Sequence, residues 1–112
     1  MNKAPGRGDL VVVALPGDYG KPRPAVVIQS DRLTAIPTVI VCPLTSEQVD
    51  APLVRLTIAP SSSNGLRQPS QAMVDKLQAI RRERIGQVIG RLDDELVRQL
   101  NEALAFVTGL AD

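Results

Sequence analysis

The sequence predicts a mainly β domain closed by one C-terminal helix. Short runs of β-branched and aliphatic residues (10–15, 24–29, 38–44 and 53–58) are separated by clusters of Pro, Gly, Asp and Ser too short to hold helices. Only after Leu92 does the apolar period lengthen, with Leu96, Leu100, Ala103, Leu104 and Val107 forming a stripe at helical spacing. Strands dominate and connections are short, so the expected architecture is a small, strongly bent antiparallel sheet or partly closed barrel with the terminal helix packed on it.

Each element has its own reason. Leu10-Val11-Val12-Val13-Ala14-Leu15 is a continuous apolar run, too short for an average helix, and reads as a strand buried on both faces. Arg7-Gly8-Asp9 before it is turn chemistry. Residues 16–22 carry two Gly and two Pro, a loop that delivers Arg23 to the second strand. Ser30 or Asp31 is placed to cap a helical turn that Pro37 stops. Pro43 interrupts the third strand, suggesting a bulge or an edge where the chain departs toward Thr45. From Val54 the fourth run alternates, with Val54, Leu56 and Ile58 inward and Arg55 and Thr57 outward. Residues 60–65 are turn-forming and separate it from a weaker strand over 70–77, a helical turn is expected within 77–84, and residues 85–90 form a last strand whose glycines permit a bend. For the helix, Asp93 is a natural cap, Asp94 and Glu95 complement the positive end of the dipole, and Gly109 suits a left-handed terminus. Phe106 lies off the centre of the apolar stripe, as a core-edge residue or a subunit contact.

Composition narrows the chemistry. A chain of 112 residues makes one domain, 1–112, and no linker or repeat divides it. With 44% hydrophobic and 22% charged residues it has the balance of a globular protein rather than a disordered one. One Tyr, one Phe and no Trp force an aliphatic core and leave no set of rings on which to stack bases. A single cysteine, Cys42, allows neither an internal disulfide nor a cysteine zinc site, and the absence of His removes the commonest metal ligand and general base. No metal or other cofactor is expected. No apolar run reaches the ~18 residues of a membrane span and no signal-peptide core is visible, so a cytoplasmic protein without membrane contact is expected.

Net charge is only +1, but its distribution is uneven. Residues 67–91 carry six basic side chains against two acidic, and residues 92–112 carry five acidic against one basic. The two segments are either faces for different partners or ordinary solvated surface. Against that background, Arg23, Thr45 and Asp75 lie at the ends of three expected strands. If the second and third runs pair antiparallel, the start of one meets the end of the other, and a guanidinium and a hydroxyl converge where a phosphodiester could be held. Asp75 could accept a proton or hold Arg23. With no imidazole to activate water, attack by the 2′-hydroxyl that RNA itself carries is the easier chemistry. The competing reading makes Arg23 and Asp75 a structural ion pair and Thr45 a turn residue.

Five blocks in order, Arg7-Gly8-Asp9-Leu10-Val11-Val12-Val13, Arg23-Pro24-Ala25-Val26-Val27-Ile28, Val41-Cys42-Pro43-Leu44-Thr45-Ser46, Val74-Asp75-Lys76-Leu77-Gln78-Ala79-Ile80 and Ile85-Gly86-Gln87-Val88-Ile89-Gly90-Arg91-Leu92, resemble the MazF/PemK toxins of bacterial type II toxin–antitoxin pairs over nearly the whole chain. The resemblance implies a small SH3-like antiparallel β-barrel of the CcdB/PemK kind and a homodimer. It also implies a metal-independent, sequence-specific endoribonuclease that cleaves single-stranded RNA to a 2′,3′-cyclic phosphate and a 5′-hydroxyl, and a cognate antitoxin that covers the RNA groove. Carried over by position, Arg23 becomes transition-state stabiliser and proton donor, Thr45 with Ser46 contacts the scissile phosphate, and Asp75 matches an acidic position used as base in some members. Tyr19, Lys21, Ser46, Lys76 and Gln78 become RNA contacts. Those members with the acidic base have an Arg two residues earlier and a His in the first loop, whereas this chain has Met73 and no His. The departure favours an Arg–Thr site with the base unassigned. Two alternatives belong to other classes: a non-enzymatic CcdB-like toxin that binds gyrase, disfavoured by the absence of a Trp near the C-terminus, and a catalytically inactive barrel that binds RNA or a protein.

Overall fold

A computed structural model describes residues 4–15 and 21–112. Seven strands, β1 (Asp9–Ala14), β2 (Pro22–Val27), β3 (Thr38–Thr45), β4 (Arg55–Ile58), β5 (Ser70–Met73), β6 (Gln78–Arg81) and β7 (Ile85–Arg91), precede one helix, α1 (Asp94–Val107). The sheet runs β4-β5-β3-β2-β1-β7, with β6 pairing a further stretch of β3, and every pair among the described residues is antiparallel. β5 and β6 share one edge of β3. Leu44 and Thr45 pair with Ala72 and Gln71 of β5, whereas residues 38–41 pair with β6. A 3-10 turn, Val74–Lys76, makes the jog between them.

Alternation along the central strands feeds two separate cores, because successive side chains leave a strand on opposite faces. On one face Leu10, Val26, Cys42 and Leu44 join Ile58, Ala72, Val74 and Leu92, and the helix covers them with Leu100. On the other, Val11, Val13, Leu15, Ala25, Val27, Val39, Val41 and Ile80 form an all-aliphatic cluster completed by Ile85. The first strand is thus buried on both sides, as its unbroken apolar run requires. The sheet curls around the second cluster but is not the barrel expected from the sequence. A second 3-10 turn, Arg82–Arg84, joins β6 to β7, and those strands share no ladder among the described residues. Closure is left to covalent continuity rather than to hydrogen bonds. At the other end of the path, the turn after β4 touches β7 through one backbone bond, from Arg91 N to Ser63 O at 2.8 Å.

Local expectations were met unevenly. Asp93 caps α1, its Oδ1 accepting from Leu96 N at 2.8 Å, and Gly109 adopts the left-handed conformation at φ 77°. Residues 30–33 form a single turn opened by Ser30, whose carbonyl accepts from Leu33 N and whose Oγ accepts from Arg32 N. The turn expected within 77–84 resolves into β6 and the Arg82–Arg84 turn. Pro43 stays within β3 and marks the last pair with β2, Ala25 to Pro43. Phe106 is about half exposed and lines a shallow apolar hollow with Pro52, Leu53 and Leu56. Several surface charges are paired: Arg81 with Glu83, Arg91 with Asp9, and Arg98 with Glu95 and Glu102. Members of both segments, among them Arg81, Arg91, Glu95 and Glu102, are thus engaged in ion pairs within the fold.

Gly65 and Gly90 set how closely the turn after β4 approaches β7. A Cβ on Gly65 would stand 2.1 Å from the Ile89 carbonyl oxygen, and Gly65 sits at φ 72°. Gly65→Ala should cost more than about 2 kcal/mol in urea unfolding, combining left-handed strain with a backbone clash. An unchanged midpoint would show that the turn does not pack as described.

The Arg98 guanidinium, and after it the Gln99 amide, hold Glu95 at about 2 against an ordinary 4.5. A carboxylate depressed in the folded chain is protonated first in the unfolded chain, so its contribution is present above about 4.5 and lost as pH falls toward about 2. Urea midpoints should fall across that window, and Glu95→Gln should give a shallower slope there than the parent chain.

Candidate active site

The site is built where the β2–β3 ladder stops. Its last pair is Ala25 with Pro43, and continuing the same register by two residues brings Arg23 level with Thr45. Pro22, Pro24 and Pro43 offer no backbone N–H, so the ladder has few donors with which to continue. On its opposite edge β3 stays paired through Leu44 and Thr45, to β5. Arg23 and Thr45 therefore occupy one end of neighbouring strands, beyond the last β2–β3 ladder pair among the described residues.

They also share a face. Arg23 is two residues from Ala25 and four from Val27, and Thr45 is two from Pro43 and four from Val41; Ala25, Val27 and Val41 all belong to the second core cluster. Arg23 and Thr45 thus stand at the rim of the concavity that this cluster fills, and neither is sealed in: Arg23 is exposed and Thr45 half-buried. Thr45 Oγ1 accepts from Glu47 N at 3.1 Å, which uses a lone pair and leaves the hydroxyl proton able to donate. Ser46 is exposed immediately beyond, and Lys21 is exposed immediately before β2. Tyr19 lies outside the described residues.

The remaining expected site residues form a second group. Asp75 and Lys76 lie in the Val74–Lys76 turn, and Gln78 opens β6 opposite Val41. Val41 is four residues along β3 from Thr45, or ~13 Å at the rise of a strand. Gln78 shares the face of Val41 and is half-buried, and Lys76 is exposed. The Asp75 carboxylate is held by Arg55 Nε at 3.3 Å and Lys76 Nζ at 3.5 Å. Desolvation pushes its pKa up, but a hydrogen bond from its own backbone and the charges of Lys76 and Arg55 outweigh this and leave it below the usual carboxylate range. A depressed carboxylate is a weaker base, so the surroundings of Asp75 suit an anchor for Arg55 better than a proton acceptor. Cys42, beneath the same region, is pushed up to about 12 by burial, with the Asp75 charge adding to it, and is a neutral core side chain.

Two residues near the site were not singled out from the sequence. Arg55 reads there as an outward strand residue, yet its side chain is mostly covered and ion-paired. Gln71 is 5% exposed and lies directly across from Thr45 on β5. A glutamine in a weak strand carries no signal of burial, and only the pairing of β5 between β3 and β4 encloses it. Among the described residues no cluster of three or more His, Cys, Asp or Glu side chains is arranged to hold a metal ion. Nor, among the described residues, is any helix long and apolar enough to cross a membrane.

Residues 6–108 match the family described as PemK-like, MazF-like toxin of type II toxin–antitoxin system. The chain is 39% identical over 106 residues to the "Probable endoribonuclease MazF" of Mycolicibacterium smegmatis, covering 94% of this chain and 97% of that protein. It is 29% identical over 111 residues to the "Endoribonuclease EndoA" of Bacillus subtilis, covering 95% and 96%. Its fold is shared with a solved endoribonuclease in complex with its cognate antitoxin from Mycobacterial species, at a TM-score of 0.77 and 21% identity, covering 96% of this chain and 97% of that one. With the family matched over almost its full length, the chain belongs to the PemK-like, MazF-like toxins of type II toxin–antitoxin systems.

Proposed function

We propose that this toxin is an endoribonuclease that cleaves single-stranded RNA by attack of a 2′-hydroxyl on the adjacent phosphodiester. The observation that carries the reading is the meeting of Arg23 and Thr45 on one face, at one register level, beyond the last β2–β3 pair. The Arg23 guanidinium presents a planar fork that can donate two parallel bonds to the non-bridging phosphate oxygens, and the Thr45 hydroxyl adds a further donor. As the O2′–P bond forms and the P–O5′ bond breaks, negative charge grows on those oxygens, where fixed donors stabilise the transition state more than the ground state. The 2′ oxygen loses its proton and the departing 5′ oxygen gains one, giving a 2′,3′-cyclic phosphate and a 5′-hydroxyl without a metal.

In this reading Lys21, Tyr19 and Ser46 contact RNA beside the scissile linkage, while Lys76 and Gln78 reach nucleotides further along the concave face. Asp75 acts through Arg55. The names of the relatives, endoribonucleases, support the same activity, and the structure solved with an antitoxin supports a cognate antitoxin as partner here. We read the chain as a cytoplasmic homodimer with an SH3-like arrangement of its curled strands. The exposed apolar side chains Ile40, Val88 and Phe106 are surface that a second copy would cover.

The test is incubation of purified protein with long single-stranded RNA in EDTA. Discrete fragments with cyclic phosphate ends are expected, and Arg23→Ala should slow cleavage by about 10²–10³, the typical loss for one transition-state donor, with an unchanged circular dichroism spectrum. Intact RNA from the folded parent chain would instead support a toxin that acts by binding.

A further inference from the structure

The buried amide of Gln71 has no role in the chemistry above, yet it makes three hydrogen bonds. Its Oε1 accepts from Val49 N at 3.1 Å, and its Nε2 donates to Val49 O at 3.1 Å and to Thr57 Oγ1 at 3.3 Å. Thr45, Gln71 and Thr57 are direct partners across β3, β5 and β4, so the three side chains form one row on one face. Val49 belongs to the segment that leaves β3 immediately after Thr45. Residues 46–50 of that segment are exposed. Gln71 thus gives Val49 both of the backbone bonds that a neighbouring strand would give, and folds the segment back over the row.

An amide at this position gains little by being buried for its own sake. Ordering a glutamine side chain costs up to about 2 kcal/mol of rotamer entropy, and an aliphatic residue would fill the row without needing partners. What the amide adds is a fixed path for the chain leaving Thr45. The Thr45 hydroxyl is tied to the same path, since its oxygen accepts from Glu47 N at 3.1 Å. Without the clasp on residue 49, the segment keeps, among the described residues, only the long bond from Gln48 Nε2 to Pro69 O at 3.4 Å, so Glu47 is held less firmly and the direction of the Thr45 O–H is set less sharply.

We infer that Gln71 is a positioning residue for the Thr45 hydroxyl, acting through its clasp on Val49, and thereby a determinant of turnover rather than of RNA binding. The inference rests on the nuclease reading. Small misplacements of a reacting or stabilising group cost up to about 10²-fold in rate, so Gln71→Met, similar in length but without the amide, should lower kcat by about 10–100-fold. KM should change by less than about threefold, because the loss is confined to interactions made in the transition state.

The decisive experiment is a double-mutant cycle with Thr45→Val in single-turnover RNA cleavage. If Gln71 acts through Thr45, Gln71→Met should slow a Thr45→Val chain by less than about threefold, since the group it positions is already gone. Equal costs in both backgrounds, or full activity of Gln71→Met beside an active parent, would overturn the inference and leave the nuclease reading standing. An inactive parent chain would overturn the nuclease reading and this inference with it. Gln71→Glu keeps the test decisive if the methionine variant does not fold. At neutral pH its carboxylate opposes the Val49 carbonyl, and protonation restores a donor, so its deficit relative to the parent should shrink as pH falls from 8 to 5. A deficit independent of pH would count against the clasp.

Discussion

The fold rests on the two-faced burial of its central strands. Residues on β1, β2 and β3 alternate between a core that the helix covers and a core that the sheet wraps around. A one-residue slip of any of these strands would exchange the two sets of side chains and leave each core with the wrong volumes. Register is thereby fixed from both sides of the sheet, and with it the parity of every residue further along the same strands. Arg23 and Thr45 inherit their common face from Ala25, Val27 and Val41, which have no part in the chemistry.

The same strands provide their own opening. An unbroken ladder from Ala25 to Pro22 would have bonded β2 to β3 along its whole length and closed off the end where Arg23 and Thr45 stand. The prolines at 22, 24 and 43 withhold donors there, while the opposite edge of β3 keeps its ladder, with β5, through Leu44 and Thr45. A polar row, Thr45, Gln71 and Thr57, then replaces the aliphatic cluster on the concave face, and the chain leaving β3 is tied down over it by the buried amide. Packing density and polar satisfaction hold the site from opposite ends: aliphatic contacts fix where the strands lie, and hydrogen bonds fix where the connecting segment goes.

Much of this was legible in the residues, for identifiable reasons. The helix carried a cap, a matched dipole, a stripe and a terminating glycine, all local signals that agree with one another. The placement of Arg23 and Thr45 at one end of neighbouring strands followed from the antiparallel pairing of two β-branched runs. The barrel did not follow, because strand content says nothing about whether β6 and β7 will bond once a 3-10 turn joins them. The pairing of Asp75 with Arg55 was equally hidden. Arg55 stands on β4 and Asp75 twenty residues later, and only the placement of β5 and its following turn beside β4 joins them.

By itself, the sequence determined the strand runs, the terminal helix, an aliphatic core free of disulfides, and a guanidinium and a hydroxyl at adjoining strand ends. These are consequences of side-chain chemistry and of periods of two and 3.6 residues, which act over a few positions. The tertiary structure decided which strands adjoin, that β3 parts from β2 at Pro43 while its other edge passes from β6 to β5, that Asp75 is held by Arg55 and Lys76, and that Gln71 is enclosed between Thr45 and Thr57. Those outcomes depend on contacts between residues far apart in the chain, and no local preference carries the information that selects among them.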